Sequence, residues 1–278
     1  MFHAGLNVFL SITAALGNLL ILVALPRVSS VHPPTKLLYR CLAITDLLVG
    51  LILNPLHTIP IVAYLTEVNW KLVLYARTIA FVLSFVLCGV SIFVSTAISV
   101  DRLLALLLGL RYRQVVTLKR IRISLIVFWL LSLVSSLTFF RIQVMWWLPR
   151  VGGGLCLVTS IISYIKIVFT LRHNQIHVQN HVSQGQPNQT IPLNRARYRR
   201  AVNSVFWVQV ALVFCYLPSV ITSALITSQG GVPLYSFVAR QFTSTLVYLN
   251  SSLNPLIHCW KIREVREAVK ETLRHFFR

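Results

Sequence analysis

Residues 73–102 read VLYARTIAFVLSFVLCGVSIFVSTAISVDR. No charged side chain falls between Arg77 and Asp101, and as a helix that uncharged run reaches about 35 Å, enough to cross a hydrocarbon core of about 30 Å. An adjacent acid and base then close the run where such a helix would meet the headgroups. Reading outward in both directions, similar apolar stretches lie near 4–26, 37–64, 123–146, 151–171, 201–228 and 234–258, which with 73–101 makes seven. The composition agrees: 56% of the 278 residues are hydrophobic, 12% are charged and the mean hydropathy is +0.74, which excludes an ordinary soluble globule. The fold class expected is an all-α membrane protein, a seven-transmembrane helix bundle forming a single domain over 1–278. The polar stretch 172–200 has too little apolar surface for a core and reads as a flexible loop.

Charge sets the orientation. The 26 Lys and Arg against 6 Asp and Glu give a net charge of +20 and a pI near 10.8, values that in a soluble chain would suggest nucleic acid. Sorted by connection, 21 basic residues fall on one side, and only Lys71, Arg77, Arg141, Arg150 and Arg240 on the other. The positive-inside rule makes the richer side cytoplasmic, with the N-terminus outside and the C-terminus inside. Anionic lipid of the inner leaflet accounts for the basic excess, and no nucleic-acid partner is needed. The first apolar run reads as a retained signal-anchor. The sequons at Asn188 and Asn250 fall in a cytoplasmic loop and inside a span, so neither is expected to be glycosylated.

Cys41, Cys88, Cys156, Cys215 and Cys259 lie within or at the edge of spans, with no zinc-ligand spacing and no outer-loop pair. No disulfide is expected, and they read as small apolar packing residues. Asp46 is the one carboxylate deep in a span. Asn18, Ser91, Asn250, Ser251 and Asn254 are mid-span polar groups that can converge on it, Asn250 and Asn254 sharing a helix face. One carboxylate with hydroxyl and amide oxygens suits a small hard cation, with Na⁺ on Asp46 and Ser91; interhelical hydrogen bonding alone explains the same residues equally well. Pro55, Pro60, Pro218 and Pro255 mark kinks, which suit a bundle that switches. From residue 260 to 275, Ile262, Val265, Val269 and Leu273 recur at helical spacing among Lys, Arg and Glu, as in an amphipathic helix on the inner leaflet.

Taken in order, Gly17-Asn18, Leu42-Ala43-Ile44-Thr45-Asp46, Ser91 with Asp101-Arg102-Leu103, Trp129, Tyr164, Cys215-Tyr216-Leu217-Pro218 and Asn250-Ser251-Ser252-Leu253-Asn254-Pro255-Leu256-Ile257-His258 resemble the one-per-span motifs of the rhodopsin-like (class A) G-protein-coupled receptors. The resemblance covers nearly the whole chain. It implies a plasma-membrane receptor that binds an extracellular ligand and activates a heterotrimeric G protein, with arrestin and membrane lipid as further partners, and no enzyme activity. Arg102 would engage the Gα subunit when span six swings out, with Asp101 as its inactive-state partner. Tyr164, Tyr216, Pro218, Asn254, Pro255 and His258 would belong to the switch. Asn18, Asp46, Ser91, Asn250, Ser251 and Asn254 would form an allosteric sodium pocket, with no other cofactor implied.

The departures are specific. Arg77 replaces the third-span cysteine, the second outer loop at about 141–150 has no cysteine, and Cys156 replaces the span-five proline. These features resemble the melanocortin, cannabinoid, lysophospholipid and adenosine branch. Leu103, Leu212, Tyr216 and His258 also depart from the usual motif residues, which leaves open a constitutively active or non-signalling relative. Ser84 stands where amine receptors carry Asp, and Tyr248 where opsins carry the retinal Lys. The ligand implied is a lipid, nucleoside or short peptide and not a biogenic amine. His57, Ser84, Phe85, Cys88, Ser219, Ser223, Arg240, Ser244 and Tyr248 are the outer-half contact candidates, although plain bundle packing accounts for any one of them. A transporter or channel would call for paired acids and inverted repeats, which the sequence lacks.

Overall fold

The computed structural model describes residues 2–28, 31–59, 70–141, 147–182, 191–228, 234–261 and 263–276. Within them the chain forms α1 (Phe2–Ala24), α2 (Pro33–Leu48), α3 (Trp70–Leu108), α4 (Leu118–Arg141), α5 (Trp147–Val182), α6 (Ile191–Ser228), α7 (Leu234–Lys261) and α8 (Arg263–Phe276). Helix α1 packs on α2 and α7, α6 packs on α5 and α7, and α3 runs through the middle against α2, α4, α5 and α6. Helix α8 turns back against α1 and α7.

Bilayer physics explains the distribution of side chains. Large apolar residues such as Phe9, Leu16, Leu130, Leu137, Phe169, Phe214 and Leu225 are exposed, because lipid tails solvate them as well as a protein interior would. Toward the axis the bundle is mixed: Val49, Leu53, Leu87, Leu212, Cys215 and Val247 pack into one apolar cluster with Tyr216 and Tyr248, while Asn, Ser and Thr are buried between helices. Six of the seven long helices are long and apolar enough to cross a membrane by composition, and α7 is not among them. Its 28 residues include buried Thr243, Thr245, Asn250, Ser251, Ser252 and Asn254, so its polar groups face protein partners, at the expense of mean hydropathy.

Several boundaries differ from the sequence expectation. The stretch 172–200, expected to be loop, is helical on both sides: α5 runs through Val182 and α6 begins at Ile191. Residues 172–182 contain no Gly or Pro to stop a helix, and Pro192 sits in the first turn, where a missing N–H costs nothing. Helix α5 also begins at Trp147, inside the expected second outer loop. Helix α7 continues through Lys261, so the C-terminal helix begins at Arg263, not at 260. Pro60 and the rest of the expected second span lie outside the described residues, as do Glu67 and Asn188. Helix α3 overruns its expected end by two turns and stops before Gly109, whose φ of 50° is the left-handed conformation that glycine adopts without steric cost.

Helix α2 widens into a π turn at Val49–Leu53, where the Asn54 N–H reaches back to the Val49 carbonyl. Pro55 follows directly, and its ring and missing N–H account for the local widening. The same turn is where α1 comes closest: Ser11 Oγ donates to the Gly50 carbonyl at 2.5 Å. A Cβ on Gly50 would lie 2.8 Å from the Ala15 backbone nitrogen. Gly5, by contrast, has nothing within 4 Å of such a Cβ. Gly50→Ala is therefore expected to destabilise the bundle by about 1–3 kcal/mol, the usual cost of overpacking. Gly5→Ala should be neutral or stabilising by up to about 1 kcal/mol through helix propensity. Thermal melts of the two variants in detergent check the contrast.

Candidate functional site

The mid-bundle polar residues meet at Asp46. Its side chain is fully buried, and three donors from two other helices reach it. Ser91 Oγ of α3 donates to Oδ1 at 3.3 Å, Ser251 Oγ of α7 donates to Oδ1 at 2.8 Å, and Asn254 Nδ2 of α7 donates to Oδ2 at 2.7 Å. Asn18 brings in α1 one step removed, donating to the carbonyls of Ala14 and Ser251, each at 2.9 Å. Asn250 is buried one turn before Asn254, but its side-chain oxygen has no partner among the described residues, and it does not bond Asp46. Helical periodicity makes this assembly possible: Asn250 and Asn254 are one turn apart, and α3 presents Ser91 to the face of α2 that carries Asp46. Among the described residues no three His, Cys, Asp or Glu side chains converge, so only hard oxygen donors are offered to a cation here: the Asp46 carboxyl with the Ser91 and Ser251 hydroxyls.

Near the C-terminal end of α3, Asp101 and Arg102, expected to pair, have different hydrogen-bond partners. Consecutive helical residues point about 100° apart and do not face each other, and the two side chains take different partners. Tyr112 OH donates to Asp101 Oδ1 at 2.7 Å, and Thr35 Oγ1 donates to Oδ2 at 3.0 Å. The Thr35 and Tyr112 hydroxyls also lie 3.0 Å apart beside the buried acid, each with its single proton already given to Asp101. Arg102 instead donates from Nη2 to the Tyr39 hydroxyl at 3.0 Å, with its guanidinium carbon 5.7 Å from the Tyr39 ring centre. Behind Tyr39 stands buried His258 of α7, edge-on at 4.9 Å.

Thr35, Tyr39 and Tyr112 were not anticipated from sequence. A signal was available for two of them: Thr35, Tyr39 and Asp46 are spaced by four and seven residues and so share one face of α2. Tyr112 lies in a short helical turn, Tyr112–Val115, that folds back only because α3 ends at Leu108.

The expected ligand residues separate into two groups. In the N-terminal half of α3, Ser84 lies 3.3 Å from the Tyr248 hydroxyl of α7, and His57, beyond the π turn that follows α2, packs edge-on against the Tyr248 ring at 5.2 Å. The site extends to α1, which sequence reasoning missed. His3 hydrogen-bonds Asn7 and Thr245 at 3.0 and 2.9 Å, and its ring lies 6.2 Å from that of His57. His57 Nδ1 and both side-chain polar atoms of Asn54 are buried without partners among the described residues. Spacing carried the α1 signal, since His3, Asn7, Ser11 and Asn18 fall on one helix face. Phe85 packs on Phe81 at 4.8 Å, and Cys88 accepts from the Tyr216 hydroxyl through its carbonyl at 3.4 Å. Ser219, Ser223 and Ser244 are half-buried, and Arg240 is exposed, so Arg240 does not join the cluster. Tyr164 packs against Phe206 of α6 at 5.5 Å.

Pro218 and Pro255 lie inside α6 and α7, each depriving its helix of one backbone hydrogen bond. All five cysteines are free. The Asp46 junction thus draws on α2, α3 and α7, and Asp101 and Arg102 are held by α2 and the turn after α3. Residues 17–148, which run from α1 into the start of α5, match the family model described as 7 transmembrane receptor (rhodopsin family).

Proposed function

We propose that this receptor binds an extracellular ligand in the outer half of its bundle and catalyses nucleotide exchange on a heterotrimeric G protein, with α6 swinging outward about Pro218. The observation that carries the reading is the Asp46 junction, which ties α2, α3 and α7 through three side-chain hydrogen bonds. The junction is, in this reading, the two-state element, closed by these three bonds and open once one partner leaves. In this reading the whole chain is one receptor unit of the plasma membrane, N-terminus outside and C-terminus inside, with Arg102 meeting Gα and with arrestin and inner-leaflet lipid as later partners.

The outer cluster supports a ligand that is not a biogenic amine. Its polar groups, His3, Asn7, Asn54, His57, Ser84, Thr245 and Tyr248, include no acid to pair with an ammonium, and apolar Leu53, Leu56 and Leu83 pack beside them. A lipid, nucleoside or short peptide with neutral hydrogen-bonding groups fits that lining. Asp46, Ser91 and Ser251 would hold Na⁺, whose preference for hard oxygen matches the donor set. A constitutively active relative is the second reading, favoured by Arg102 resting on an uncharged tyrosine and not on an acid.

Two measurements test the proposal. Arg102→Ala should lower Gα nucleotide exchange by about tenfold or more while surface expression persists, the pattern expected for loss of an interaction made in the exchanging complex. Unchanged exchange would overturn the assignment. Replacing KCl by NaCl should raise the melting temperature of the wild-type receptor by about 2–4 °C through ligand linkage, and Asp46→Asn should remove that rise. An equal shift in both proteins would mean that Na⁺ does not act at Asp46.

A further inference from the structure

We infer that Tyr39 is the residue that holds Arg102 at rest, in place of any acid, and so sets the barrier to G-protein engagement; this rests on the exchange reading above. The charges of the chain leave few alternatives. Its six acids are Asp46, Glu67, Asp101, Glu264, Glu267 and Glu271, and α6 from Ile191 to Ser228 has none. No carboxylate on the moving helix is available to grip Arg102. Asp101 is adjacent in sequence, but Tyr112 and Thr35 occupy both of its oxygens, and Arg102 makes no ion pair among the described residues.

The Tyr39 contact is built from both sides. Its hydroxyl accepts from Arg102 at 3.0 Å, and its ring lies 5.7 Å from the guanidinium carbon, within cation–π range. Its orientation is fixed by the edge of His258 at 4.9 Å and 79°. Tyr39 and His258 are 7% and 6% exposed, so the latch operates out of water, where a hydrogen bond from a guanidinium is strong. His258 sits one turn after Asn254, itself bonded to Asp46. Movement of α7 that breaks the Asn254 bond therefore withdraws the support of Tyr39 by the same displacement. The mid-bundle junction and the cytoplasmic latch are mechanically linked through one helix face.

The test uses the full-length receptor in nanodiscs, with ligand-independent Gα exchange measured at matched receptor concentration. Tyr39→Phe keeps the ring and removes the acceptor. It should raise basal exchange about threefold or more, since one hydrogen bond to a charged group biases a two-state equilibrium by at least that factor. Unchanged or lowered exchange overturns the inference. A second readout does not depend on G protein: melting temperatures of Tyr39→Phe, Arg102→Met and the double variant. Non-additive shifts support direct coupling, and additive shifts overturn it. If the wild type and both variants are inert toward every Gα, the exchange reading falls, and with it the barrier role of Tyr39, while the melting cycle still decides whether Tyr39 holds Arg102.

Discussion

A carboxyl group at the middle of a membrane helix has no water to turn to, and the arrangement of this bundle follows from that constraint. Leaving Asp46 without partners would cost several kcal/mol, so α3 and α7 must each bring a donor to α2, and Ser91, Ser251 and Asn254 do so. Those contacts fix the rotation of three helices about their axes. Asn18 then fixes a fourth by bonding the Ser251 carbonyl. The approach of α1 to α2 depends on Gly50 in turn, and the Ser11 bond to its carbonyl engages a backbone group at the π turn ahead of Pro55.

The same logic repeats at each depth. Near the N-terminal end of α1 His3, Asn7 and Thr245 join α1 to α7, and Ser84 and Tyr248 join α3 to α7. Near the C-terminal end of α3 Thr35, Asp101 and Tyr112 join α2, α3 and the turn that follows α3. Helix α7 takes part in two of these three layers and approaches the third through His258. That participation explains its content of buried Ser, Thr and Asn and its low hydropathy. In a bilayer, where burial of apolar surface does not distinguish a helix partner from lipid, such polar layers are a main source of specific association.

What was legible in the sequence follows from which signals are one-dimensional. Seven apolar runs and an asymmetric charge distribution are properties of the string, and so was the convergence on Asp46, because a single deep carboxylate must gather whatever polar groups its neighbours hold. Helix ends were less readable. The polar residues 172–182 lack apolar surface for a core, yet nothing in them breaks a helix that α5 has already nucleated. The partners of Asp101 were hidden for a geometric reason: Tyr112 reaches it only because the chain reverses after Gly109, and Thr35 only because α2 and α3 pack in one register.

Adjacent acid and base residues invite a reading as a pair, but an α-helix separates them. Asp101 points toward α2 and the turn after α3, where a hydroxyl donor reaches each of its two oxygens. Arg102, rotated by about 100°, meets the one face of α2 that offers an aromatic hydroxyl. The acid thereby serves the architecture, anchoring the short turn after α3, while the base remains attached through a neutral contact that can be given up without stranding a buried anion. Breaking a buried ion pair leaves an uncompensated charge and is strongly unfavourable, whereas releasing a guanidinium from a phenol leaves behind a neutral group supported by His258. A cation that must leave its resting place repeatedly is better held by such a partner than by a carboxylate, and the separation of Asp101 from Arg102 is what makes that choice available.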